Sequence, residues 1–191
     1  MLAATLMTPL PVSRSCCDIA HIPDLSTNRS MPAPNQPTVL LCSVQPEAEA
    51  LLERLSGGIG ASIGGKSFVQ GVLGGRRVVL CVGGMGKVNA AHAATLAIER
   101  YRPAAVIVFG IGGAYPSSGA QIGDVVLAQN EISGDEGVLT HEGFKDTEYI
   151  GIPLLKLSSA GIYNTYPAPA APLKRSLDAL CAGAASPPRA G

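Results

Sequence analysis

The sequence has no tryptophan, only three phenylalanines and five tyrosines, and no excess of either charge, since 14 Lys and Arg balance 14 Asp and Glu. A protein that binds a nucleic acid strand needs a basic face, usually with aromatics interleaved on which bases stack, and this chain offers neither. Its expected ligand is small and weakly charged, and neither a nucleic acid nor a membrane is an expected partner. The five cysteines form no CxxC pair and no set with the spacing of a metal site. Cys16 and Cys17 are adjacent, Cys42 and Cys81 lie inside apolar runs, and all are read as reduced thiols in a cytoplasmic protein, with neither metal nor cofactor expected. No basic stretch precedes the apolar run Leu2–Leu10, which Thr5, Thr8 and Pro9 interrupt, so a secretory leader is not expected.

What is abundant is glycine, alanine and aliphatic residues. With 47% hydrophobic and 15% charged residues in 191 positions, one substantial core can form. The chain is organised around the stretch from Val78 to Tyr115, VVLCVGGMGKVNAAHAATLAIERYRPAAVIVFGIGGAY. It reads as a strand (78–82), a glycine turn (Gly83, Gly84, Gly86), a helix (87–101), a second strand (104–109) and another glycine turn (Gly110, Gly112, Gly113). Ligands of open α/β sheets bind at the carboxyl ends of strands, and glycine turns there expose bare backbone N–H groups. Both turns are therefore candidate site elements.

Residues 1–36 mix Pro, Ser and Asn without period and are expected to be a disordered lead, with Met31 an alternative start. Order is expected from residue 37, with strands over 38–44, 67–73, 77–82, 104–109 and 124–129 and helices over 46–55 and 87–101. In the first helix Ala48, Leu51, Leu52 and Leu55 form one apolar stripe, and Pro46 suits its first turn. Glu47 and Glu49 lie off that stripe: either they complement the helix dipole, or a carboxylate at a strand's carboxyl end serves as a catalytic base.

GASIGGKS (60–67) fits the phosphate-loop pattern G-x-x-x-x-G-K-[ST], which requires a strand before it and a helix after it. Here a helix precedes and SFVQGVL alternates like a strand toward a Gly74-Gly75 hairpin, so the segment is not read as a phosphate loop. Asp124 is expected to be a turn former, His92 a partly buried packing residue and His141 a solvated one. Leu173, Leu177, Leu180 and Cys181 mark a short amphipathic helix before the tail AGAASPPRAG.

With these residues in view, VVLCVGGMGKVNAAHAATLAIERYRPAAVIVFGIGGAYPSSGAQIGDVVLA resembles the core of the nucleoside phosphorylase and nucleosidase superfamily. The likeness covers about residues 39–135. The continuation EISGDEGVLTHEGF…GIPLL, with the opening VQPEAEALL, resembles the futalosine hydrolases within it. That likeness implies a three-layer α/β fold with a mostly parallel central mixed sheet, and a homo-oligomer that takes a small-molecule nucleoside. The implied activity is hydrolysis of the N-glycosidic bond of futalosine with release of hypoxanthine. The alternatives are a methylthioadenosine/S-adenosylhomocysteine nucleosidase, a nucleoside phosphorylase, or an inactive nucleoside-binding fragment. It also implies Glu47 as the water-activating carboxylate, with Glu49 as alternate, and Met85, Gly86, Ile111, Gly112 and Gly113 as pocket residues. The family's later sugar-binding and acid motifs find no match, so the resemblance implies a C-terminally truncated member: an incomplete domain over 37–182, a disordered tail over 183–191, and uncovered apolar surface along a strand edge.

Overall fold

In the computed structural model, residues 36–156, 160–171, 174–176 and 178–179 are described. They divide into two compact units, one ending at Gly112 and the other beginning at Gly113. The expected N-terminal lead up to residue 35, the tail and the side chains at positions 173, 177, 180 and 181 lie outside the described residues.

The first unit is a five-stranded sheet with a helix on each face. In chain order it comprises β1 (Thr38–Cys42), α1 (Gln45–Leu52), β2 (Ser56–Ile63), β3 (Lys66–Leu73), β4 (Arg76–Val82), α2 (Lys87–Tyr101) and β5 (Ala105–Val108). The strand order is β2-β3-β4-β1-β5. β1 lies between β4 and β5 and is parallel to both, pairing Leu40 with Leu80 and with Ile107. β2-β3 and β3-β4 are antiparallel. The sheet is thus mixed, with as many antiparallel as parallel pairings, because two diglycine hairpins fold the chain back on itself. Gly64 and Gly65 (φ 55° and 75°) and Gly74 and Gly75 (φ 56° and 76°) occupy the left-handed region that two-residue hairpin turns demand. The phosphate-loop lookalike is therefore a strand, a hairpin turn and the start of a second strand.

Side-chain alternation sorts the core onto two faces. Val39, Leu41, Phe68, Val79 and Cys81 pack with Ala93 and Ala97 of α2. Cys42 and Leu80, with the half-buried Leu40 and Val82, pack with Ala48, Leu51 and Leu52 of α1. This is the three-layer arrangement the sequence implies. Both helices present small or aliphatic residues to the sheet, and α2 buries only alanines, which lets its backbone lie close. α1 ends at Leu52, three residues short of the predicted stripe. Leu55 still packs inward, against Gly71, where an added Cβ would fall 2.6 Å from its Cγ. β5 is an outer strand, and Ile107 and Val108 are 49% and 72% exposed.

The second unit contains β6 (Asn130–Ile132), β7 (Gly137–Thr140), β8 (Gly143–Asp146), α3 (Thr147–Ile150), β9 (Leu155–Lys156), β10 (Gly161–Ile162) and β11 (Thr165–Pro167). They form three antiparallel pairs, β6 with β11, β7 with β8 and β9 with β10. Asn164 organises this unit. Its carboxamide accepts from the Thr147 amide at 2.9 Å and hydroxyl at 2.6 Å, and donates to the Ser133 and Glu136 carbonyls at 2.7 and 2.6 Å. The strand predicted over 124–129 is not formed: these residues pair in none of the described ladders, and Val125 is 68% exposed. An apolar run becomes a strand only where an edge accepts its hydrogen bonds, and hydrophobicity alone does not supply one. Among the described residues no helix is long and apolar enough to cross a membrane.

Candidate functional site

The carboxyl ends of β1, β4 and β5 are tied together by backbone and by one acid. β1 stops at Cys42, and Val44, in extended conformation, caps α1. Pro46 follows in the first turn, so Glu47 is the third helical residue, from which a glutamate can reach back over the helix start. Its Oε2 accepts the amide hydrogens of Ser43 (2.9 Å) and Val44 (3.1 Å), and its Oε1 accepts that of Ile111 (2.9 Å). Val44 has no side-chain acceptor, so only the glutamate half of a capping box is made.

The electrostatics follow from this geometry. Partial burial pushes the Glu47 carboxyl up, but the amides of Ile111, Val44 and Ser43 outweigh it and hold the group below the ordinary glutamate value. It is ionised at neutral pH. Two carboxylate oxygens offer about four acceptor sites. Two on Oε2 and one on Oε1 are used, and the remaining one lies on Oε1.

Space around the acid is equally constrained. A Cβ added at Gly110 would fall 2.5 Å from Glu47 Oε1. The sequence marks Gly110 only as part of the second turn and points to no role for the amides of Ser43 and Val44. The pattern of a β1 strand, a proline and a glutamate three residues past the cap could have suggested the capping geometry, but not the long-range partner.

The first glycine turn follows β4. The amides of Gly83 and Gly84 donate to the carbonyls of Cys42 (2.8 Å) and Ser43 (2.9 Å), which sets this turn beside the end of β1. Gly84 and Gly86 have φ of 93° and 90°. Asn89 then anchors the turn: its Nδ2 donates to the Met85 carbonyl at 2.8 Å, and its Oδ1 accepts from Lys66 Nζ at 2.6 Å. The link from Met85 and Gly86 to Glu47 runs through Gly84 and Ser43. Met85 and Ile111 are 73% and 86% exposed, and Gly86 and Gly112 are exposed too. Gly113, also exposed, is the first residue of the second unit.

Other candidates separate cleanly. Glu49 is exposed on α1, two residues past the acid that the amides engage. Asp124 is a turn former, accepting the Gln121 amide at 2.8 Å while its own amide donates to the Gln121 carbonyl at 3.1 Å. His141 is solvated, 92% exposed near Glu142. His92 is exposed rather than partly buried: it lies on α2 beside the Gly64 turn, while its neighbour Ala93 is the residue that faces the sheet. Cys42 and Cys81 are both free and buried, on opposite faces of the sheet.

The family model described as the phosphorylase superfamily matches residues 37–187. A 5'-methylthioadenosine/S-adenosylhomocysteine nucleosidase of Shewanella piezotolerans is 37% identical over 89 residues, 47% of this chain and 38% of that one. The nucleosidase of the same name from Anoxybacillus flavithermus is 32% identical over 114 residues, 60% of this chain and 48% of that one. The chain therefore spans less than half the length of these relatives. In fold it is similar to the crystal structure of the Neisseria meningitidis nucleosidase in complex with methylthio-immucillin-A, with a TM-score of 0.60 at 23% identity over 79% of this chain and 60% of that one.

Proposed function

The chain belongs to the phosphorylase superfamily, and from that premise we propose that it is a purine nucleosidase acting on 5'-methylthioadenosine or S-adenosylhomocysteine. The name shared by its relatives supports that substrate class. The observation that carries the proposal is the Glu47 carboxylate, ionised and fixed by the amides of Ser43, Val44 and Ile111 at the carboxyl ends of β1 and β5.

The reaction is displacement by water at the anomeric carbon of the ribose. As the bond from carbon to purine nitrogen breaks, its electron pair goes to the base, which takes up a proton from solvent, balancing the one that the attacking water gives up. The sugar passes through an oxocarbenium-like state, and water supplies the new carbon–oxygen bond. Glu47 Oε1, with one acceptor site left, takes the proton that the water loses. Held by three amides the acid is a weak base, suited to a nucleophile whose proton leaves late, after positive charge has grown on the sugar. The same fixed negative charge stabilises that cation. Met85, Gly86, Ile111, Gly112 and Gly113 are proposed to line the nucleoside pocket, the glycines by allowing close approach to backbone and Met85 and Ile111 by apolar contact.

A second reading is carried by the residues of Glu131–Leu155, which resemble the futalosine hydrolases. In the structure they run from β6 through β7, β8 and α3 to the first residue of β9. The two readings separate by the base released. The full chain is incubated with 5'-methylthioadenosine, S-adenosylhomocysteine or futalosine, with and without inorganic phosphate, and free base is resolved chromatographically. Adenine release without phosphate supports the first reading, hypoxanthine from futalosine alone supports the second, and a phosphate requirement rejects hydrolysis. Release of no base from any of them rejects both in favour of a nucleoside-binding fragment.

A further inference from the structure

We propose that Gly110 is a positioning residue, whose lack of a side chain is what allows the Glu47 carboxylate to occupy its place beneath the Ile111 amide. The kinetic consequence rests on the reading of Glu47 as the proton acceptor; the positional one does not.

The constraint is steric. A Cβ at position 110 would stand 2.5 Å from Oε1, 2.9 Å from Cδ and 3.2 Å from Oε2 of Glu47, so all three terminal atoms of the acid crowd it. Ordinary contact begins at 3.4 Å, and the carboxylate would have to retreat by about 0.9 Å. Retreat is not free in any direction. Oε2 is held by Ser43 and Val44, which belong to the turn that starts α1, so Oε1 is the oxygen that must give way. Its partner is the amide of Ile111, the residue next to the added methyl. The substitution therefore breaks one particular hydrogen bond and leaves the other two. Conformational freedom plays no part, since Gly110 is not among the glycines of positive φ.

A flexible side chain could in principle rotate away, but Glu47 is bonded at both ends of its carboxylate. Gly60 provides the contrast: it sits in β2, also without positive φ, and an added Cβ there meets nothing within 4 Å. Of these two glycine-to-alanine changes, one in β2 and one just past the end of β5, only the second sets a methyl against an acid.

The test is a titration that needs no turnover. Glu47 carries a ¹³C-labelled side-chain carboxyl, and its chemical shift is followed against pH in the parent chain, Gly110→Ala and Gly60→Ala. Expected is a Glu47 midpoint below the ordinary glutamate range in the parent and in Gly60→Ala, and an upward displacement in Gly110→Ala as the Ile111 bond is lost. An unchanged midpoint in a folded Gly110→Ala chain overturns the proposal. If Gly110→Ala unfolds, a double-mutant comparison decides: with Glu47→Ala as background the obstruction is gone, so adding Gly110→Ala should lower the denaturation midpoint much less than it does in the parent. Equal losses in the two backgrounds overturn it. In a chain that turns over methylthioadenosine, a displacement of this size lowers kcat/KM by about 10²-fold. A shifted titration with unchanged kcat/KM would leave Gly110 as the positioner of Glu47 and reject Glu47 as the base.

Discussion

Glu47 accepts the amide hydrogen of Ile111 at 2.9 Å across 64 residues of sequence, closing the end of β1 onto the end of β5 with a single charged side chain. The same carboxylate caps α1 through Ser43 and Val44. One residue thus serves as helix cap, inter-strand tie and proposed base, and its removal has separable effects on stability and on chemistry.

Glu47 should make the stability of the fold depend on pH. The folded-state pKa of Glu47 lies below its unfolded value, so the acid stabilises the fold at pH above the ordinary glutamate value of about 4.3. That contribution disappears as pH falls through the lower folded value. Denaturant midpoints of the parent chain and Glu47→Gln, measured from pH 7 to pH 3, should converge toward the acid end. A gap that stays constant over this range rejects the linkage.

Asn89 should govern the order of the first glycine turn. Asn89→Ala removes the donor to the Met85 carbonyl and the acceptor for Lys66 Nζ. Because both bonds are exposed, the loss of stability should be small, about 0.5–1.5 kcal/mol. Amide hydrogen exchange at Gly84, Met85 and Gly86 should nevertheless accelerate, with β1 and β4 unaffected. Unchanged exchange in the turn would show that Gly83 and Gly84 alone hold it.

Phe68 is fully buried and meets the ring of Tyr101 at 5.6 Å between centroids. It is the largest fully buried side chain of the layer between the sheet and α2. Phe68→Ala should cost about 3–5 kcal/mol in equilibrium unfolding. A loss under 1 kcal/mol would mean that this face of the sheet is not packed as described.

Cys42 and Cys81 should be inert in the folded chain. Burial, with the Glu47 charge adding to it, pushes the Cys42 thiol up; burial, reinforced by Cys42, pushes Cys81 up to about 11. Thiolate is the reactive form, so both should resist alkylation at pH 8 until denaturant is added. Peptide mapping of alkylated cysteines checks this, and rapid labelling of either one under native conditions contradicts it.

These predictions draw on features that the sequence reveals unequally. The α2 boundaries are legible because apolar and alanine spacing, the preceding glycine turn and Pro103 agree on them. The common direction of β4 and β5 is legible from two apolar runs with one helix between them; the place of β1 between the two is not, since α1 and the β2-β3 hairpin separate β1 from β4. β2 is not legible: SGGIGASI has three glycines and is a strand only because β3 supplies its partner. The reverse holds for residues 124–129, apolar enough for a strand and lacking a ladder. Glu47 can be picked out by position in the chain, but its dependence on Gly110 and Ile111 cannot, because contacts 63 and 64 residues apart leave no local pattern.

The central claim is that water is the nucleophile and Glu47 its proton acceptor. The full chain and Glu47→Gln are incubated with 5'-methylthioadenosine in H₂¹⁸O without phosphate, stopping early to limit exchange, and the products are weighed by mass spectrometry. The account predicts one ¹⁸O in the released sugar and none in the adenine, with the initial rate falling roughly 10²–10⁴-fold in Glu47→Gln. Release that requires phosphate and leaves the sugar unlabelled, or a Glu47→Gln chain that works at the parent rate, would contradict it.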